Sequence, residues 1–90
     1  MNARFYFANL CADVARCIKA LESDDDKRYT DSLLRAHKTL TYLHGANRPE
    51  AYEEGLLLLR GLEYTRELGV YEVFREQLNN LALRISVAAL

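Results

Sequence analysis

Tryptophan is absent from this 90-residue chain, proline occurs once, cysteine twice and glycine four times. A disordered or low-complexity segment needs more Pro, Ser or Gln and less apolar content than the 50% found here, so one ordered domain is expected over residues 1–90. An excess of one charge is missing too. Twelve Lys and Arg stand against thirteen Asp and Glu, a net charge of -1, and no run of cations is long enough to make a nucleic-acid footprint. Nor is there a long hydrophobic run. The longest uncharged stretch near the start, Phe5 to Ala12, is closed by Asp13 and Arg16 too soon for a signal peptide or a membrane span. No nucleic acid and no membrane are expected as partners, and the cytoplasm is the expected compartment.

The two cysteines, Cys11 and Cys17, lie six positions apart in one periodic segment. On a helix they point to different parts of the surface and cannot bridge, and without neighbouring His or Cys they form no zinc pattern. They read as small buried hydrophobes of a reducing compartment.

What the chain does have is helical periodicity. Phe7, Leu10, Val14, Cys17 and Leu21 follow a 3-4-3-4 spacing that keeps them on one face of a helix. Asn2 is placed to cap that helix, and Ser23-Asp24-Asp25-Asp26 supplies its stop and the cap, at Asp26, of the next. Tyr29, Leu33, Ala36, Leu40 and Leu43 repeat the spacing up to Gly45, a natural residue for the left-handed turn that ends a helix. Asn47-Arg48-Pro49-Glu50 then combines a cap at Asn47, a proline in the first turn and a glutamate in capping-box position. The last stripe is Tyr71, Phe74, Leu78, Leu81, Ile85 and Ala88. The expected fold is an all-α antiparallel bundle with helices near 3–22, 27–44, 49–68 and 70–88. Gly69 can be a tight turn or a kink; one continuous helix from Pro49 to Ala88 would be about 60 Å long and would force dimerisation. Leu10, Val14, Leu33, Leu40, Leu56, Leu59, Phe74, Leu78 and Leu81 are the expected core.

Chemistry is sparse. His37 and His44 are seven apart on one helix, about 10 Å along its axis, so one metal cannot take both without ligands from elsewhere. Asp24, Asp25 and Asp26 lack the spacing and the closing Glu of a calcium loop and suit a helix start. Glu50, Glu53 and Glu54 read as the acidic first turn of the third helix, and no nucleophile-base pairing stands out. No enzyme, metal or cofactor is expected. One alternative is a phosphoryl relay: Arg35-Ala36-His37-Lys38 invites comparison with histidine-phosphotransfer bundles, although the turn after their histidine carries a Lys-Gly pair where this chain has Leu40-Thr41.

Three stretches carry a resemblance. Leu10-Cys11-Ala12-Asp13-Val14-Ala15-Arg16-Cys17-Ile18-Lys19 is similar in rhythm, and in Leu10, Arg16 and Lys19, to the first long helix of the flagellin-specific export chaperones, the FliS family. Leu33 to Leu40 and Leu57 to Arg66 resemble two further segments of that family, so the likeness spans about residues 7 to 68. The resemblance implies a cytosolic, non-enzymatic bundle that holds an aggregation-prone helical segment of a client.

The third helix carries two apolar faces. Tyr52, Gly55, Leu56, Leu59 and Leu62 form one, and Leu57, Gly61, Tyr64 and Leu68 line up on nearly the opposite side. The second stripe, bordered by Glu53, Arg60 and Glu67, is the candidate partner-binding surface, for a client helix or for a second copy in a homo-oligomer. Gly61 in mid-helix costs about 1 kcal/mol relative to Ala, which suggests that another backbone approaches there.

Overall fold

The computed structural model describes the backbone of residues 2–88 and the side chains of residues 2–81 and of Leu83. It contains four helices, α1 (Ala3–Glu22), α2 (Asp26–His44), α3 (Pro49–Leu68) and α4 (Tyr71–Ala88), with no strand among the described residues. They form an all-α bundle measuring 35 × 23 × 17 Å.

The local signals act much as their chemistry dictates. Asn2 Oδ1 accepts the Phe5 N–H at 3.0 Å and caps α1. Ser23 closes α1, its hydroxyl donating to the Lys19 carbonyl at 2.9 Å. The cap of α2 is Asp25, one residue before the expected Asp26, and its carboxylate accepts the Arg28 N–H at 3.0 Å. Asp24 supplies the left-handed turn between them, at φ 53°.

The α2–α3 corner departs from expectation. Gly45 stays right-handed at φ -75°, and Asn47 takes the left-handed conformation at φ 57°, so Asn47 caps nothing. Pro49 accounts for this. The residue before a proline is driven out of the helical region, which makes Arg48 extended, at φ -127° and ψ 82°, and moves the reversal back to Asn47, whose short amide tolerates it. Arg48 takes the cap position without a side-chain cap bond, and its guanidinium Nε donates to Glu50 at 3.1 Å.

Gly69 sits at φ 72° and donates its N–H to the Thr65 carbonyl at 2.8 Å. This left-handed stop separates α3 from α4, so the continuous 40-residue helix does not form.

Helix α1 touches all three other helices, whereas α2 and α4 do not meet among the described residues. Its buried face is accordingly wider than the expected stripe, adding Ala3, Cys11, Asp13, Ile18 and Ala20 to Phe7, Leu10, Val14 and Cys17. On α2, Tyr29, Ala36, Leu40 and Leu43 are buried and Leu33 is half-buried against the core. Six of the nine expected core residues are buried, and Leu33 and Leu81 pack half-buried against them.

Leu56 is the exception, at 38% exposure. The closest approach of α3 to the α1–α2 pair is at Gly55, where an added Cβ would stand 2.8 Å from Leu40 and 2.9 Å from Leu10. That contact centres the buried face on Gly55, Leu58, Leu59, Leu62 and Thr65 and leaves Leu56, about 100° round the helix from Gly55, at its edge. Helix α4 lays Phe74 and Leu78 into the core, and Arg75 forms an ion pair with Glu22 at the end of α1. The side chains of Ile85 and Ala88 lie outside the described residues.

Candidate association surface

With α3 oriented by Gly55, its opposite side is turned to solvent. Leu57, Tyr64 and Leu68 are 59%, 68% and 69% exposed, and the strip continues past the Gly69 turn through exposed Val70 and Val73. Glu53, Arg60 and Glu67 border it, all exposed.

Gly61, the fourth residue of the expected stripe, behaves differently. It is half-buried because the Phe74 ring of α4 lies over it: a Cβ at Gly61 would meet Phe74 Cε1 at 2.7 Å. The missing side chain thus makes room for an aromatic ring of the same chain, and this corrects the reading that a partner backbone comes close there. Ring and glycine form the floor of a groove of about 420 Å³ between α3 and α4, walled by Leu58, Leu78 and Leu81. Leu57 stands at its lip, with Glu54, Gln77 and Asn80 as the polar rim. Leu57 and Glu54 also border a second groove of about 670 Å³ between the N-terminal ends of α1 and α3, over Ala3, Phe7 and Ala51. Leu57 is therefore a ridge between two concavities.

Charge near this ridge is fixed by the first turn of α3. Glu50 is held below the usual carboxylate range, first by its own backbone N–H at the open end of the helix and then by Arg48.

His37 is exposed on α2, and its backbone carbonyl accepts the Thr41 hydroxyl at 3.1 Å. His44 meets Tyr52 edge-on, with ring centroids 4.6 Å apart. No group of three or more His, Cys, Asp or Glu among the described residues is arranged to hold a metal. Cys11 and Cys17 are both buried, and burial pushes each thiol up to about 11, helped at Cys17 by the Asp13 carboxylate. Protonated, enclosed thiols are poor nucleophiles. No helix among the described residues is long and apolar enough to cross a membrane.

Two features had no expectation attached. Asp13 is 3% exposed and is bonded from both sides, and Leu58 replaces Leu56 in the core. Both follow from helix orientation, which apolar spacing alone leaves open by a residue. No protein-family model, curated protein or solved structure matches the chain.

Proposed function

We propose that this chain is a non-enzymatic, cytoplasmic protein-interaction module that receives an amphipathic helix of a partner across α3 and α4. The observation carrying the proposal is the exposed strip of Leu57, Tyr64 and Leu68 beside the groove floored by Gly61 and Phe74. An incoming helix reads such a surface through apolar residues one turn apart, one of them entering the groove and the others lying along the strip. The resemblance to the flagellin-specific export chaperones gives the partner a class: an aggregation-prone helical client segment kept from self-association. A second copy of the chain laid on the same strip is the other occupant this surface accepts.

The test uses the Leu57→Lys/Tyr64→Glu variant and a synthetic amphipathic helical peptide. Capture of the peptide by the parent chain, lost in the variant while far-UV helicity persists, is the expected result. A parent mass of two chains that falls to one in the variant would assign the strip to a second copy. Undiminished capture by a folded variant, or unfolding of the variant, would remove the surface from consideration.

A further inference from the structure

On the hairpin of α1 and α2, cations gather without a function so far. Arg16 and Lys19 from α1 and Lys27, Arg28 and Arg35 from α2 line one groove of about 640 Å³. These are five of the twelve Lys and Arg in a chain whose net charge is -1. Asp25 and Asp31 are the carboxylates that line the groove and Asp13 is ion-paired to Arg16 beneath it, so five cations stand against three carboxylates, an excess of two.

Only two of the five cations are held in ion pairs, Arg16 by Asp13 and Arg28 by Asp25. Asp25 lies 3.9 Å from Arg28, a loose contact, and also caps α2. Asp31 is about one turn from both Lys27 and Arg35 but makes an ion pair with neither. Among the described residues Lys19, Lys27 and Arg35 have no ion-pair partner.

Arg16 is positioned from below. Its guanidinium donates at 2.9 Å to Asp13, which is buried and also accepts the Thr39 hydroxyl at 3.1 Å. The Asp13–Thr39 bond sets the register of the two helices. One turn from that bond toward the α1–α2 turn, Arg16 on α1 comes level with Arg35 on α2, and buried Ser32 lines the same groove. Two arginine forks therefore face one concavity of small-ligand size, with lysines at its turn end.

We propose that this groove binds a small, multiply charged oxyanion of the polyphosphate or phosphate-ester class. Guanidinium forks match phosphate oxygens in pairs, and the lysines add point charge. The ligand is compact because the groove is bounded by acid. Glu22, Asp24 and Asp26 flank its turn end, and Asp25 and Asp31 stand within it, so a long polyanion running along the hairpin would cross all five carboxylates. The site is separate from the α3–α4 strip and does not depend on it.

The experiment is an amide-shift titration of the full chain with inorganic pyrophosphate and with ATP, for the parent, for Lys19→Glu/Arg35→Glu, and for Lys38→Glu/Arg60→Glu. The last pair changes the net charge equally at exposed residues outside the groove. Expected is saturable, salt-sensitive binding that moves the amides of Lys19, Ser32 and Arg35. The groove variant weakens it by roughly tenfold or more, and the control variant by far less. Equal affinities for the two probes would identify the phosphate chain as the ligand, and tighter ATP binding a nucleotide; either result upholds the site. Equal losses in both variants, no saturation at millimolar probe, or tighter binding of an oligoglutamate peptide than of pyrophosphate would overturn it. Should the groove variant fail to fold, Lys19→Gln and Arg35→Gln, which remove charge without reversing it, take its place with the same expected direction.

Discussion

Thr39 donates its hydroxyl to the carboxylate of Asp13 at 3.1 Å across the α1–α2 interface, joining residues 26 apart in sequence at a point where Asp13 is only 3% exposed. A carboxylate there is stable only while both oxygens are served, one by Thr39 and the other by Arg16. Thr39→Val strips one oxygen of its partner and should cost about 1–3 kcal/mol in urea unfolding. A double-mutant cycle of Asp13→Asn with Thr39→Val should show a coupling on the order of 0.5–3 kcal/mol, and strict additivity would mean that the bond contributes nothing.

Gly55 is where α3 packs against Leu10, Leu40 and Leu43. On an exposed helix Gly→Ala would gain about 1 kcal/mol. Here the new methyl would meet Leu40 at 2.8 Å, Leu10 at 2.9 Å and Leu43 at 3.2 Å, the ends of three core side chains. Overpacking of this kind costs about 1–3 kcal/mol, so Gly55→Ala should lower the melting temperature. A rise would show that the core repacks around the methyl with ease.

How far the sequence carries this molecule depends on whether the information is periodic or spatial. Apolar spacing located all four helices to within a residue or so, because burying a face is what makes a short helix stable. It placed Gly55, Leu59 and Leu62 on the buried face of α3 but chose Leu56 where Leu58 packs, since four consecutive leucines, Leu56 to Leu59, leave the orientation open and the close approach at Gly55 decides it. The strip of Leu57, Tyr64 and Leu68 was legible as an apolar stripe with no partner in its own helix's pattern. Phe74 over Gly61 was not, because it joins two helices across a turn. The groove cations escaped for the same reason. No run of Lys or Arg in the chain is longer than Lys27-Arg28, and only the antiparallel pairing of α1 with α2 brings Arg16 beside Arg35.

The buried thiols predict a dependence on alkaline pH. Cys11 and Cys17 are pushed from an ordinary 9.0 up to about 11 in the fold, by burial and, for Cys17, also by Asp13. Tyr29 shifts the same way, burial outweighing the cation of Arg66, which sits 4.9 Å over its ring. The folded state keeps protons that the unfolded chain releases, so this stability is fully present below about pH 9 and is lost as pH rises toward about 11. Urea unfolding measured from about pH 8 to pH 11 should show a decline beginning near pH 9 and shallower in Cys11→Ala/Cys17→Ala. Thiol reagents at neutral pH should modify neither residue before unfolding.

The sharpest contrast is between neighbours on α3. Leu58 is 6% exposed and Leu57 is 59% exposed, and they are adjacent in sequence. Leu58→Ala removes a buried side chain from between α3 and α4 and should cost about 2–5 kcal/mol. Leu57→Ala removes one that lies mostly in water and should change stability by no more than about 0.5 kcal/mol. If α3 is a docking helix, the functional order reverses: Leu57→Ala should weaken capture of an amphipathic helical peptide while leaving the unfolding curve almost unmoved. Paired melting and peptide-binding measurements on the two variants separate the roles. A Leu57→Ala variant that melts as early as Leu58→Ala would place Leu57 in the core and leave α3 with no free apolar face to offer a partner.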